Sequence, residues 1–118
     1  EMHAGFMGLR AACPMNLRRS FAFKDRGAAA AKDVTRIVEA WRDARGRYGA
    51  GGPFLFGGFS AADAMFAPVV TRLDTYSWPV AADTRTYMDA VLALPAFLAW
   101  KAGADAETAI LAADEVED

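Results

Sequence analysis

The feature that most constrains this chain is Phe54-Leu-Phe-Gly-Gly-Phe59-Ser60-Ala-Ala-Asp63-Ala-Met-Phe66. Ser60 followed three residues later by Asp63, just ahead of an apolar run, is the pattern of a capping box. The serine hydroxyl accepts from the backbone N–H of Asp63, and the carboxylate reaches back to the N–H of Ser60. Phe59 and Ala64 can form a small hydrophobic staple across that start. The Asp63 charge complements the positive end of the helix dipole. Gly57-Gly58 lets the aromatic run turn sharply into the helix. Taken as local chemistry, the motif says that a core helix starts at residue 61 and says nothing of function.

The rest of the chain divides around this start. Residues 1–12 read as a helix, with Met2, Phe6, Leu9 and Cys13 on one stripe and His3, Met7 and Arg10 on the next. Glu1 opens mid-pattern without a cap, so this helix is expected to begin upstream of residue 1. Pro14 ends or kinks it, and residues 16–26 form a basic connection with Phe21 and Phe23 as anchors. Ala28 to Tyr48 is the longest periodic segment, with Gly49 as its C-cap. A helix from Ala61 to about Tyr76 carries Pro68 in its interior, where a bend is expected. Trp78-Pro79 breaks the chain. A fourth helix is expected over Ala81–Ala93, and a fifth starts at Pro95 and is stopped by Gly103. Asp105 caps a last short helix through about Ala113, ahead of an acidic tail. No stretch alternates long enough for a strand, so the fold class is all-α, a single-domain bundle of five or six helices.

Phe-Ser-x-Ala-Asp-Ala after an aromatic run and a glycine turn resembles the central helix of the C-terminal domain of glutathione S-transferases. Glu1-Met2-His3-Ala4-Gly5-Phe6 with Leu9 resembles that domain's first helix. Tyr87-Met88-x-Ala90-Val91, Leu94-Pro95-Ala-Phe97 and Trp100 resemble its later helices. The resemblance covers residues 1 to about 103. It implies a helical half that supplies an apolar pocket for an electrophile, with glutathione as cosubstrate. Glutathione would be bound, and its thiol activated, by a thioredoxin-like N-terminal domain that these 118 residues do not contain.

In a bacterial branch of the family the first helix carries Glu-x-His-Lys-Gly-Phe, its histidine facing the glutathione sulfur. His3 inherits that candidate catalytic role, donating a hydrogen bond to the thiolate or orienting it. Ala4 stands where that branch has lysine, and the loop before the cap is one residue shorter than in other branches. The residues themselves leave a second reading open, a partly exposed histidine with no role. Candidate pocket lining is Phe6, Met7 and Arg10 on the first helix with Arg72 and Tyr76 on the third; core or ordinary surface is the competing reading for each.

Composition narrows the alternatives. One histidine and one cysteine exclude a Ser-His-Asp constellation with a spare metal site and a Cys-His zinc site. Cys13 has no disulfide partner and reads as a packing residue, which fits a reducing, cytoplasmic setting. Residues 1–50 carry ten Lys/Arg against five Asp/Glu, and residues 51–118 three against ten. Arg36, Arg42, Arg45 and Arg47 are interspersed with Asp33, Glu39 and Asp43, as on a solvated helix face. With no base-stacking motif beside them, nucleic acid is not an expected partner, and no run approaches a membrane span. The resemblance implies a homodimer for the complete enzyme. The same fold also serves as a non-catalytic protein-interaction module in elongation factors and aminoacyl-tRNA synthetases, which is the alternative function; a ligand-free structural bundle is a third.

Overall fold

The computed structural model describes Met2 and residues 5–106. Among these are five α-helices: α1 (Met7–Ala12), α2 (Ala28–Tyr48), α3 (Ala61–Thr75), α4 (Ala82–Leu92) and α5 (Pro95–Ala106). The only strand-like pairings among the described residues are two isolated bridges in the turn before α3.

Helix α2 buries Ala30, Val34, Ile37 and Trp41 along one face, the stripe its periodicity dictates. Helix α3 packs on α4 and has Val69, Val70 and Leu73 almost wholly removed from solvent. It continues through Pro68 to Thr75. Helix α4 contributes Thr84, Tyr87, Met88 and Val91. Trp41 meets Tyr87 at 4.9 Å between ring centres and Phe66 edge-on at 5.6 Å, so α2, α3 and α4 share one aromatic contact.

Three ends differ from the sequence expectation. Helix α1 starts at Met7, not upstream, because Phe6 sits in the left-handed region at φ 63°. That conformation costs an L-residue on the order of 1–2 kcal/mol. It persists because the Phe6 ring is buried in the core. Gly103 does not stop α5, which runs on to Ala106; one glycine inside a helix costs only about 1 kcal/mol relative to alanine. Asp105 is therefore not a cap but a member of α5, paired with Lys101 one turn earlier at 3.3 Å. The short helix expected through Ala113 lies beyond residue 106, outside the described residues.

The end of α3 is closed by a Schellman arrangement: Trp78 N–H donates to Leu73 O at 3.0 Å and Ser77 N–H to Asp74 O at 3.1 Å. Ser77 occupies the left-handed position, φ 54°, where glycine is usual. Its hydroxyl donates to Phe21 O at 2.6 Å, a bond that offsets the strain and ties the 16–26 connection to α3.

Candidate functional site

The described residues singled out by the sequence lie at the start of α3, on or beside α1, and at the C-terminal end of α3. At α3 the capping box is present. Asp63 Oδ2 accepts the Ser60 N–H at 2.9 Å and the Ser60 hydroxyl at 3.2 Å. The other carboxylate oxygen does more than capping requires. Asp63 Oδ1 accepts the Leu55 N–H at 3.2 Å and the Tyr87 hydroxyl at 2.9 Å. All four are neutral donors, and Asp63 is fully buried. One carboxylate thus ties the preceding turn, its own helix and α4 together. Burial, followed by the charge of Asp63 and the hydrogen bond to it, pushes the Tyr87 phenol well above its ordinary range.

The turn ahead of the box is a tight one. Phe54 N–H donates to Gly57 O at 3.0 Å and Gly57 N–H to Phe54 O at 3.2 Å, with Gly57 at φ 89°. The turn buries Leu55 and leaves Phe56 leaning on Tyr48 at 5.7 Å. Phe59, the expected staple residue, is more than half exposed and meets the Phe54 ring edge-on at 5.7 Å.

At α1 the arrangement is different. Phe6 stands at the N-cap and offers no side-chain acceptor. The orphan N–H of Leu9 is taken instead by Asp33 Oδ2 of α2 at 3.0 Å. Beside this bond Gly8 lies flat against α2, where a Cβ would come within 2.8 Å of the Ala29 backbone. Asp33 belongs to a set of charges that reads as a solvated face in sequence. A capping role across 24 residues leaves no spacing signal.

Of the candidate lining residues, Phe6 is buried and Met7 is 65% exposed. Arg10 is half-buried and donates to Met2 O at 2.8 Å. Arg72 and Tyr76 point at the connection that follows α1: Arg72 Nε donates to Cys13 O at 2.9 Å and the Tyr76 hydroxyl to Pro14 O at 2.8 Å. Thr75 adds a bond to Asn16 O at 2.9 Å and Lys101 one to Leu17 O at 2.9 Å. The Tyr76 ring is buried, stacked on Phe21 at 5.1 Å with the Arg26 guanidinium 4.8 Å above it. The five residues therefore fall on two sides of the same strap. Met7 and Arg10 lie on α1, while Arg72 and Tyr76 hold the chain as it leaves that helix. Glu1, His3 and Ala4 lie outside the described residues.

An apolar cleft of about 310 Å³ opens between α3 and α5, bounded by Phe59, Ala64, Pro68, Leu94, Phe97 and Trp100. A second, of about 300 Å³, lies between α2 and α4. There Arg42 grips Asp83 through two bonds of 2.8 and 3.0 Å, and Arg45 donates to the Asp83 carbonyl at 2.9 Å. The hydrogen bond with Asp83 raises the Arg42 guanidinium above its ordinary value, and its counterpart lowers the Asp83 carboxyl. These arginines serve an interhelical pairing, and Arg47 pairs with Asp43 on the same helix at 2.9 Å. No group of three or more metal-ligating side chains occurs among the described residues. None of their helices is long and apolar enough to cross a membrane.

The family described as "Glutathione S-transferase, C-terminal domain" matches residues 25–103. The match contains α2, α3 with its capping box, and α4. The chain belongs to that family. Comparison with curated proteins and with solved structures returns no match. Within the family domain, the buried Asp63 and its ties to Leu55, Ser60 and Tyr87 are structural. Helix α1 and residues 13–24 after it lie outside the matched residues.

Proposed function

We infer that this glutathione S-transferase C-terminal domain supplies the apolar electrophile side of a glutathione-conjugating enzyme. Family membership over residues 25–103 is the observation that carries this reading. In it, a thioredoxin-like partner domain binds glutathione and lowers the barrier to thiolate formation. The helical half holds the electrophile within reach of the sulfur, so that two reactants meet in one orientation. Helix α1 supports the assignment locally, because it turns Met7 outward and carries Arg10 three residues further along the same helix. His3, four residues before Met7 in sequence, is the candidate hydrogen-bond donor to the sulfur. Arg72 and Tyr76 act in this scheme by holding the exit of α1. Cytoplasmic residence and a homodimeric whole enzyme complete the proposal.

The test is conjugation of glutathione to an aryl halide. The 118 residues alone are expected to show almost none, and the chain joined to a glutathione-binding domain is expected to turn over. In the joined protein His3→Ala should lower kcat/KM about tenfold, a loss of about 1.4 kcal/mol in transition-state stabilisation. Robust activity from the 118 residues alone would refute the division of labour. Absence of activity in the joined protein would favour a binding module.

A further inference from the structure

We propose that Asp33, on α2, is a positioning residue that sets where α1 presents its outward face to the electrophile; the proposal rests on the functional reading above. Helix α1 is only six residues long and begins from a strained Phe6 that cannot cap it. A helix this short has no stability of its own in water. Its place must come from what it rests on, and α1 packs chiefly on α2.

Two contacts fix that seat, and they lie one turn apart on α2. Ala29 meets Gly8 so closely that no side chain fits between them. Asp33 accepts the Leu9 N–H at 3.0 Å. Arg10 N–H already donates to Phe6 O at 3.0 Å, which makes Leu9 the third residue of the first turn, a donor with no acceptor inside the helix. A carboxylate at that spot both satisfies the donor and complements the helix dipole. The Leu9 side chain is fully buried, so an unmet N–H there would sit beside the core. Asp33 therefore fixes the height and rotation of α1 on α2. Met7 and Arg10 flank Leu9 in this same short helix, and a shift of its first turn moves both. The Arg72 bond to Cys13 O holds the other end, and Asp33 anchors the first turn by its side-chain bond.

The experiment uses the chain joined to a glutathione-binding domain, with an aryl halide as electrophile, and measures steady-state kinetics together with amide hydrogen exchange. Asp33→Ala is expected to raise the KM for the electrophile about tenfold while leaving the KM for glutathione within about twofold, because misplacement by about an ångström costs that much or more. Exchange at the Leu9 amide should speed up about tenfold, the size of a lost cap. Asp33→Asn keeps an acceptor oxygen and should restore most of the electrophile KM. Glu39→Ala, which removes a charge from the exposed side of the same helix, should change neither reading. Equal changes in both KM values, or an unchanged electrophile KM, would overturn the positioning role. A wild type that conjugates nothing would remove the proposed function and the positioning role together. A wild type that conjugates, with an unaltered Asp33→Ala variant, would remove the positioning role alone.

Discussion

Helices α1 and α3 start in opposite ways. Helix α3 is capped from within, by a serine and an aspartate three residues apart. Helix α1 is capped from another helix, by an aspartate 24 residues further along the chain. In α3 the capping carboxylate is buried and also grips Leu55 and Tyr87. In α1 it is half-buried and does one job. A self-capped helix with extra ties belongs to the frame of the fold. A helix capped by its neighbour takes its position from that neighbour.

That contrast can be broken most forcefully at Asp63. Asp63→Ala strands the Leu55 amide and the Tyr87 hydroxyl in the core and should cost about 3 kcal/mol or more. Ser60→Ala should cost about 0.5–2 kcal/mol. Because the two residues share one motif, the double variant should lose less than the sum by about 0.5 kcal/mol or more. Chemical denaturation of the four proteins measures the cycle. Strict additivity would mean that the two do not act as a pair.

Tyr87 offers a second, smaller effect with a defined pH range. Its folded-state ionisation is raised, while the unfolded phenol ionises near pH ~10. Above that pH the unfolded chain has lost a proton that the folded chain retains. Stability is therefore complete below about pH 10 and falls as the pH rises further. Tyr87→Phe should flatten this alkaline slope and, at neutral pH, cost about 1.5–3 kcal/mol for a lost bond to a charged acceptor. An unchanged slope would show that the phenol does not report on Asp63.

The smallest expected change is at Asp33. Asp33→Ala should lower stability by about 0.5–2 kcal/mol, nearer the lower figure because the carboxylate is not fully buried. The loss should be local to α1: exchange at Leu9 rises while amides in the middle of α3 keep their protection. A uniform rise throughout would place Asp33 in the frame after all.

The same contrast explains what was legible in the sequence. Helices α2, α3 and α4 were readable to within about a residue at their ends, because periodicity, a glycine stop and a capping box are local signals. The buried role of Asp63 was half readable: its spacing from Ser60 pointed to the cap, but nothing pointed to Tyr87. The start of α1 was not readable, because its apolar stripe runs on through Met2 while the backbone turns left-handed at Phe6. Arg72 and Tyr76 entered as candidate pocket lining through the family resemblance, and the carbonyls they bind were not legible. In the fold they reach carbonyls of Cys13 and Pro14, about 60 residues away, and such bonds leave no pattern in the chain. Gly103 carried the opposite error, a local stop signal outweighed by helix continuing on both sides of it and by the Lys101–Asp105 pair.

The electrophile-side reading is tested most directly by calorimetry on the chain joined to a glutathione-binding domain, with S-methylglutathione and S-hexylglutathione as ligands. Each buried methylene contributes about 0.8 kcal/mol, so the hexyl compound should bind tighter wherever an apolar pocket adjoins the sulfur. Met7 is exposed on α1, and Met7→Glu places a charge there without disturbing the core. The expected result is a clear preference for the hexyl compound that shrinks in Met7→Glu, with S-methylglutathione bound equally by both proteins. An identical preference in the two proteins would show that α1 does not face the electrophile.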